Sequence, residues 1–493
     1  MGDQQGILNS QSEAVVEDPL KMNDVETSKN RSLSQVLSVF VAGVALFSDG
    51  YNIQIAGYMI PVLTKIYGPS VVTTSMKTRL SNSILIGDIV GMILFGFCID
   101  RFGRRLGIMA TTFLLVFGII LATAAHGVTP TGLLWMMVVG RGVAGVGAGG
   151  EYTVCTAQAL EAADEDKYVQ QHRGFLVAFS TNVAITSGFV GSSIASVVIL
   201  AIAHDEARDI VWRCAFGIGI ILPLTIFIFR MRLVNSTQYT KHAIHRNLPY
   251  KLAIKRYWKP LLGCCGAWFL YDFIVYPFTL LVPEVVSGFS SSNGLLETTG
   301  WSALVNAFSL PGAFFGGFLI DRIGRRQSCA LGFLIVAVLA FIIGGAMGPL
   351  RAHFAAFVLM YGLFHSFLSV GPGNCTFLLA SESFPTPIRG HFFGVAAGVG
   401  KAGAALGTQV FPQILARYAS ALEGQQAIFL IGASLAVAGA AVVWLLVPDR
   451  ERQLECEDAL FRAYLEENGW DVSDMGVRHG RVGERDEKHE NGP

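Results

Sequence analysis

Apolar segments long enough to cross a membrane recur throughout this chain of 493 residues. The hydrocarbon interior of a bilayer accepts only helices or closed barrels, because backbone polar groups find no other hydrogen-bond partners there. A spanning helix needs about 20 apolar residues. By this rule the predicted spans are 34–62, 80–99, 106–126, 131–161, 174–203, 211–231, 259–283, 299–320, 328–347, 353–381, 392–416 and 424–447. The sequence therefore predicts an all-α polytopic membrane protein with twelve transmembrane helices.

Composition agrees with this fold class. Hydrophobic residues make up 52% of the chain and charged residues only 15%, whereas soluble domains carry about 25% charged residues. The eight cysteines are scattered, mostly inside apolar segments, which is typical of small packing residues and not of a disulfide framework or a metal site. No P-loop, metal-binding pair or nucleophile elbow is found, so we expect neither an enzyme nor a bound metal or cofactor.

A ten-residue motif occurs twice. GFCIDRFGRR occupies Gly96–Arg105 and GFLIDRIGRR occupies Gly317–Arg326, so that Asp100 and Asp321 lie 221 residues apart. This offset is nearly half the chain and predicts two six-helix halves related by duplication. Charge pairing between each motif loop and a neighbouring helix would hold one conformation of such a protein. The candidate gating side chains are Asp100, Arg101, Arg104, Arg105, Asp321, Arg322, Arg325 and Arg326.

Lysine and arginine residues set the predicted orientation. Both motif loops and the central linker are basic and follow even-numbered spans, so the positive-inside rule assigns all three to the cytoplasm. A nucleic-acid patch is the alternative explanation of the basic linker, but its position beside the membrane favours topology. The predicted organisation is a disordered cytoplasmic tail (1–33), a six-helix bundle (34–232), a basic cytoplasmic linker (233–257), a second six-helix bundle (258–447) and a polar cytoplasmic tail (448–493) with a short helix near Leu454–Leu465.

One apolar segment contains an acid. Trp268, Asp272 and Tyr276 are spaced four residues apart, so a helix places all three on one face. An ionisable group inside a membrane usually faces a partner or a water-filled cavity. The alternative is that Asp272 lies at a helix end, with the two aromatic residues as interfacial anchors. Apolar sequence continues on both sides of the segment, which favours a functional site.

Several motifs resemble those of the major facilitator superfamily. G-x-x-x-D-R-x-G-R-R after the second and eighth spans looks like its loop motif, and Arg141–Gly150 resembles the fourth-helix motif of its proton-coupled members. GGEY at Gly149–Tyr152 and W-x-x-x-D-x-x-x-Y in the seventh span resemble the phosphate:proton symporter branch. SDGYN at Ser48–Asn52, SNSILIGDIVGMILFGF in the second span and GPGN at Gly371–Asn374 are most similar to fungal glycerophosphoinositol and glycerophosphodiester permeases.

This resemblance implies a set of site residues. The implied substrate contacts are Glu151, Tyr152, Asn182, Trp268, Asp272, Tyr276 and Asn374, and the implied proton-coupling residues are Asp49, Arg141, Glu151 and Asp272. We expect Arg141 to neutralise Asp49. The phosphate carriers usually have Asp, Pro and Gln where this chain has Glu151, Thr153 and Asn182, so strict selectivity for inorganic phosphate is not expected.

Acids around an anion site predict proton coupling. Asp49, Asp88, Glu151 and Asp272 would repel a phosphate ester at low dielectric while they are ionised, whereas a protonated acid donates a hydrogen bond to a phosphate oxygen. Lys401 either contacts the phosphate as a point charge or extends to the lipid headgroups, and the sequence leaves both interpretations open.

The predicted function is proton-coupled import of glycerophosphodiesters, such as glycerophosphoinositol, by alternating access. The alternatives are an inorganic phosphate:proton symporter and a transporter-like nutrient receptor, although the tail after residue 447 is too short and polar for an output domain. The expected partners are a small anionic organophosphate, protons and membrane lipids, without nucleic acid, and the proton gradient is the driving force. We expect a plasma-membrane monomer with both termini in the cytoplasm.

Overall fold

The computed structural model describes residues 19–102, 104–164, 173–230, 249–287, 294–448 and 454–472. These residues are almost entirely helical and contain no β-strand. The described residues contain twelve membrane helices, which form two halves of six. This arrangement confirms the predicted fold class.

The first half contains α1 to α6. Their bounds are α1 (Pro19–Tyr67), α2 (Thr74–Phe102), α3 (Arg104–Thr123), α4 (Pro130–Asp164), α5 (Arg173–Ala178, a π-helical turn at Phe179–Val183, and Ala184–Ile202) and α6 (Asp209–Ile218 and Ile221–Arg230).

The second half contains α7 to α12, and a further helix, α13, follows it. Their bounds are α7 (Tyr250–Leu280), α8 (Leu295–Ala307 and Ser309–Ile323), α9 (Arg325–Gly345), α10 (Phe354–Leu368, a π-helical turn at Ser369–Gly373, and Asn374–Glu382), α11 (Thr386–Arg417), α12 (Ala421–Leu446) and α13 (Leu454–Glu467). Short helices at Val282–Ser287 and Met347–Ala352 extend α7 and α9.

Eight of these helices, namely α2, α4, α5, α7, α8, α9, α10 and α12, are long and apolar enough to cross a membrane by length and composition alone. The other four have local departures from that pattern. The apolar part of α3, Met109–Thr123, is short, and α6 is interrupted after Ile218. Polar residues break the apolar pattern of α1, and α11 carries a lysine within a glycine-rich sequence.

The two halves meet along two equivalent contacts, in which α2 packs against α11 and α5 packs against α8. Duplication explains the pairing, because α8 and α11 are the second-half counterparts of α2 and α5. Within the first half α2 packs most extensively on α4. A Cβ atom on Gly87 of α2 would collide with the backbone of α4 at Gly142, so glycine permits the close approach of these helices.

Two segments differ from the predicted organisation. The described part of α1 begins at Pro19, although composition predicts disorder through residue 33; proline is compatible with the first turn of a helix. The end of the predicted linker is helical, since α7 begins at Tyr250. Residues 1–18, most of the linker (231–248) and residues 473–493 lie outside the described residues.

The helix α13 is packed onto the second half. Phe461 and Leu465 are fully buried, and the hydroxyl of Tyr257 on α7 donates a hydrogen bond to buried Glu457. Asp458 accepts hydrogen bonds from the backbone N–H and the hydroxyl of Thr386, each at 2.7 Å. The C-terminal segment therefore contributes a helix that contacts the beginnings of α7 and α11.

Candidate functional site

Lys401 of α11 lies at the centre of a buried cluster between the halves. Its exposed fraction is 1%, and its ammonium group donates a hydrogen bond to the hydroxyl of Tyr276 on α7. The same nitrogen lies 4.3 Å from the ring centroid of Tyr276 and 5.3 Å from that of Tyr152 on α4. The side chain thus points into the protein, which contradicts the interpretation that it extends to the headgroups.

Aromatic rings form one wall beside this lysine. The Tyr152 ring stacks on Phe377 of α10 with centroids 5.3 Å apart, and Trp268 of α7 lies 5.0 Å from Phe377 and 5.5 Å from Phe393 of α11. Trp268 is 2% exposed. Trp268 is therefore part of the buried wall and not an interfacial anchor.

Asp272 shares the buried face of α7 with Trp268 and Tyr276, as the four-residue spacing predicts. The carboxylate is 2% exposed, forms a hydrogen bond with Trp268 and interacts electrostatically with Lys401 and Asp49. The helix continues to Leu280, so the alternative position at a helix end is wrong. An acid, a cation and two phenols thus come together at one point.

Arg141 does not neutralise Asp49, contrary to expectation. Its Nε donates to the backbone oxygen of Leu80 at 2.9 Å, and its terminal nitrogens donate to those of Asn52 at 3.1 Å and Ile53 at 3.5 Å. Neither carboxylate oxygen of Asp49 has a hydrogen-bond partner among the described residues. The guanidinium fork presents several fixed donors, and here carbonyl groups of α1 and α2 occupy them, so Arg141 fastens these helices together.

Asp49 instead interacts electrostatically with Lys401 and Glu151. It is 3% exposed, as is Glu151. The hydroxyl of Thr112 on α3 donates to Glu151 Oε1 at 2.6 Å. Adjacent helical residues point about 100° apart, so Tyr152 contacts Lys401 while the carboxylate of Glu151 bonds to α3.

The two predicted asparagines bind each other across the halves. Asn182 Nδ2 donates to Asn374 Oδ1 at 2.8 Å and to the backbone oxygen of Ser369 at 3.2 Å. Asn374 in turn donates to the backbone oxygen of Ala313 on α8 at 2.8 Å. Asn182 lies in the π-helical turn of α5, and Asn374 directly follows that of α10; such turns often occur at functional sites. In this conformation both amides join α5, α8 and α10.

The second motif loop bridges the halves through Asp321. Its carboxylate accepts hydrogen bonds from the backbone N–H groups of Gly174 at 3.1 Å and Phe175 at 3.0 Å, at the beginning of α5. Arg325 lies 3.6 Å from Asp321 and 3.1 Å from Glu382 at the end of α10. An acid at a helix N-terminus satisfies free N–H groups and interacts favourably with the helix dipole. This loop therefore holds α5 to α8.

The remaining motif residues differ in their contacts. Arg326 donates to the backbone oxygen of Trp444 and lies 4.7 Å from its ring centroid, whereas Arg322 is exposed. The predicted gating side chains of the first copy, Asp100, Arg101, Arg104 and Arg105, lie outside the described side chains.

A separate cavity of about 720 Å³ opens at the end of the bundle opposite the motif loops. Its charged lining residues are Lys65, Lys77 and Glu284. Thr408 of α11 also lines it and follows Lys401 by seven residues, which is two helical turns. The cavity therefore ends about two turns from the buried cluster.

Polar contacts between the halves close the path from this cavity. Asn82 of α2 donates to the backbone oxygen of Ala405 at 2.9 Å and accepts a hydrogen bond from Thr408. Gln54 of α1 donates to the backbone oxygen of Thr279 on α7 at 3.0 Å. The cluster around Lys401 is thus sealed from the cavity in this conformation.

The chemistry of the cluster fits a small anion. An ammonium group and two tyrosine hydroxyls supply donors, and nearby acids change charge with protonation. Among the described residues, no group of three or more His, Cys, Asp or Glu side chains could hold a metal ion. Phe377 and Phe393 complete the wall although no motif marks them; the three-residue spacing of Phe377 from Asn374 is the only sequence signal.

Comparisons with known proteins agree with this description. A sequence model of the Major Facilitator Superfamily matches residues 42–408. A glycerophosphoinositol permease of Candida albicans is 36% identical over 456 residues, which cover 91% of this chain and 86% of the permease. A glycerophosphocholine permease of the same organism is 34% identical over 480 residues, which cover 95% and 88%.

Solved structures show the same fold. The proton:xylose symporter XylE, bound to 6-bromo-6-deoxy-D-glucose, superimposes with a TM-score of 0.70 and covers 88% of this chain and 99% of its own. The two sequences are 19% identical, so this likeness concerns the fold alone.

Proposed function

Because this chain belongs to the Major Facilitator Superfamily, we propose that it is a proton-coupled carrier that imports glycerophosphodiesters, such as glycerophosphoinositol, by alternating access. It is a multi-pass membrane transport protein and not an enzyme. The observation that carries the substrate proposal is the buried ammonium group of Lys401, held between Tyr152 and Tyr276 with Asp272 in electrostatic reach.

Lys401 and the tyrosines bind the phosphate. A lysine ammonium is strongly hydrated in water, so its burial requires anionic partners. A phosphodiester carries one negative charge and accepts hydrogen bonds from Lys401, Tyr152 and Tyr276. The polyol attached to the phosphate packs against Trp268 and Phe377, whose rings offer apolar faces.

Asp272 couples substrate binding to the proton. While ionised, it competes with the phosphate for Lys401; once protonated, it no longer repels the anion and donates a hydrogen bond to it. A proton taken up from outside thus prepares the site, and deprotonation towards the cytosol expels the anion. The proton gradient is the driving force, and the cycle uses no bound cofactor.

The motif loops lie on the cytoplasmic side of the plasma membrane, together with both termini. The basic residues in and around these loops support this orientation. The 720 Å³ cavity then faces outward and admits substrate before the contacts around Asn82 open. The carrier works as a monomer with the lipid bilayer around it.

The names of the two relatives support the substrate class. They concern glycerophosphoinositol and glycerophosphocholine, which share the glycerophosphodiester group and differ in the head group. We therefore propose a glycerophosphodiester as the transported substrate, with inorganic phosphate as the alternative substrate.

Uptake into proteoliposomes tests the proposal. Labelled glycerophosphoinositol should accumulate when the outside is acidified from about pH 7 to about pH 5, because the acids must be protonated for loading. A protonophore should abolish accumulation. Unlabelled glycerophosphodiesters should compete at lower concentrations than inorganic phosphate.

Three outcomes would contradict it. Uptake that ignores the proton gradient would exclude symport. Competition by inorganic phosphate alone would assign the protein to phosphate transport. Binding without flux in sealed vesicles would favour a receptor.

A further inference from the structure

Asp88 lies in the middle of α2, within the second-span motif SNSILIGDIVGMILFGF, and the proposed function assigns it no role. It has an exposed fraction of 0%, and neither of its carboxylate oxygens has a hydrogen-bond partner among the described residues. Replacing a buried ionic group by an apolar residue of similar volume is often neutral or stabilising. Asp88 thus makes no hydrogen bond among the described residues that would explain an acid here.

The charges that act on Asp88 come from four helices. Asp49 of α1, Arg141 of α4, Asp272 of α7 and Lys401 of α11 interact with it electrostatically. A further helix, α3, also packs on α2, and none of its described side chains is among the charges that act on Asp88.

The two cations are shared among several acids. Arg141 already donates to three backbone carbonyl groups, and Lys401 also acts on Asp49 and Asp272. Asp88 therefore has no cation of its own.

The charge balance changes when an anion binds. The cluster contains four acids, Asp49, Asp88, Glu151 and Asp272, but only the two cations Arg141 and Lys401. A bound phosphodiester engages Lys401 and adds a negative charge, so an acid must take up a proton for the buried charge to stay balanced.

Hydrogen bonds distinguish the acids at that moment. Trp268 bonds to Asp272, and Thr112 donates to Glu151. Asp88 has no such donor among the described residues, and neither has Asp49, which already belongs to the proposed proton-coupling residues. The charged form of Asp88 depends on cations that the substrate engages or that other groups share.

From this cluster we infer that Asp88 shares with Asp272 the proton that is taken up when the organophosphate occupies Lys401, and is thereby a proton-binding residue of the transport cycle. Its carboxylate accepts the proton from solvent as substrate binds and returns it when substrate leaves. This inference rests on the proposed function and adds a residue to it.

The test is the number of protons taken up when glycerophosphoinositol binds to the purified full-length protein in weakly buffered solution, followed with a pH-sensitive dye. The unmodified protein should take up about one proton per monoanionic diester bound, by the charge balance above. Asp88→Asn has a similar shape but cannot titrate, so its uptake should fall to roughly half or less while it still binds substrate. Asp209→Asn, which alters an acid bonded to Tyr67 at the beginning of α6, is the matched control and should behave like the unmodified protein.

The outcomes distinguish the proposed symport from the role of Asp88. If the unmodified protein binds the diester without proton uptake, the proposed symport fails. If it takes up a proton and Asp88→Asn takes up the same amount, the role of Asp88 is refuted. Should Asp88→Asn not fold, Asp88→Glu decides: a shift in the pH at half-maximal proton uptake supports the role, and an unchanged midpoint overturns it.

Discussion

The two halves of this protein share a fold and a ten-residue motif, but they contribute different charges to the buried cluster. The first half supplies the acids Asp49, Asp88 and Glu151, together with an arginine that is fastened to backbone carbonyl groups. The second half supplies Lys401, Asp272 and most of the aromatic wall. Duplication thus produced a symmetric scaffold with an asymmetric site.

The difference suggests a division of tasks. Groups that can hold a phosphate lie mainly in the second half, and two of the three first-half acids have no hydrogen-bond donor among the described residues. When the substrate engages a cation that these acids share, their ionised forms become less stable, so they need no direct contact with the substrate. Coupling between proton and substrate is then an electrostatic link across the interface of the halves.

Lys401→Gln should have the largest effect, because it removes the cation that the second half supplies to the buried cluster. We expect binding of glycerophosphoinositol, measured by calorimetry, to weaken by about 100-fold or more, as removal of one partner of a buried ion pair usually costs about 3–5 kcal/mol. Lys255→Gln, at an exposed position near the beginning of α7, is the control and should bind normally. Normal binding by Lys401→Gln would place the anion elsewhere.

Asp272→Asn should separate binding from coupling. The amide resembles the protonated acid, so affinity should stay within about threefold, yet accumulation against a gradient should disappear while substrate exchange continues. Asp272→Ala should in addition weaken binding by about tenfold, through loss of the donor. Paired uptake and exchange assays in proteoliposomes measure both. An asparagine variant that still concentrates substrate in response to pH would move the coupling role to the first half.

Trp268→Ala should change selectivity within the second half. Loss of the ring should weaken binding of bulky glycerophosphodiesters by about tenfold, which corresponds to about 1.4 kcal/mol, a plausible share of the contact with an aromatic ring. Inhibition by inorganic phosphate, which is too small to reach the ring, should not change. Phe269→Ala on the same helix serves as the control. Equal losses of binding for both ligands in Trp268→Ala would mean that this variant disturbs the whole cluster.

Asp321→Asn should have the smallest effect, because it weakens only the link from α8 to α5. The amide oxygen can still accept one N–H group, and a charge at a helix N-terminus contributes about 0.3–1 kcal/mol. We expect the transport rate to change by less than about fivefold. The accessibility of cysteine side chains on the motif-loop side to thiol reagents should increase. Unchanged accessibility would show that this contact does not hold the halves together.

The sequence predicts the scaffold well because its determinants are local. Apolar segments define the spans, and the repeated motif defines the halves. The shared face of Trp268, Asp272 and Tyr276 follows from helical spacing alone.

Partnerships across helices are harder to predict. The contacts of Arg141 depend on which carbonyl groups of α1 and α2 come near its guanidinium, and the bond between Asn182 and Asn374 requires two π-helical turns to meet. The burial of Lys401 depends on its depth along α11. A single sequence determines these features only through the complete packing of the helices.

The docked helix α13 has a practical consequence for handling the protein. Because Asp458 and Glu457 bond to Thr386 and Tyr257, a truncation directly after α12 removes partners from the beginnings of two membrane helices. Fluorescent reporters and affinity tags therefore belong after residue 472. Yields compared between fusions at residues 447 and 472 would reflect a missing structural element as well as the choice of tag.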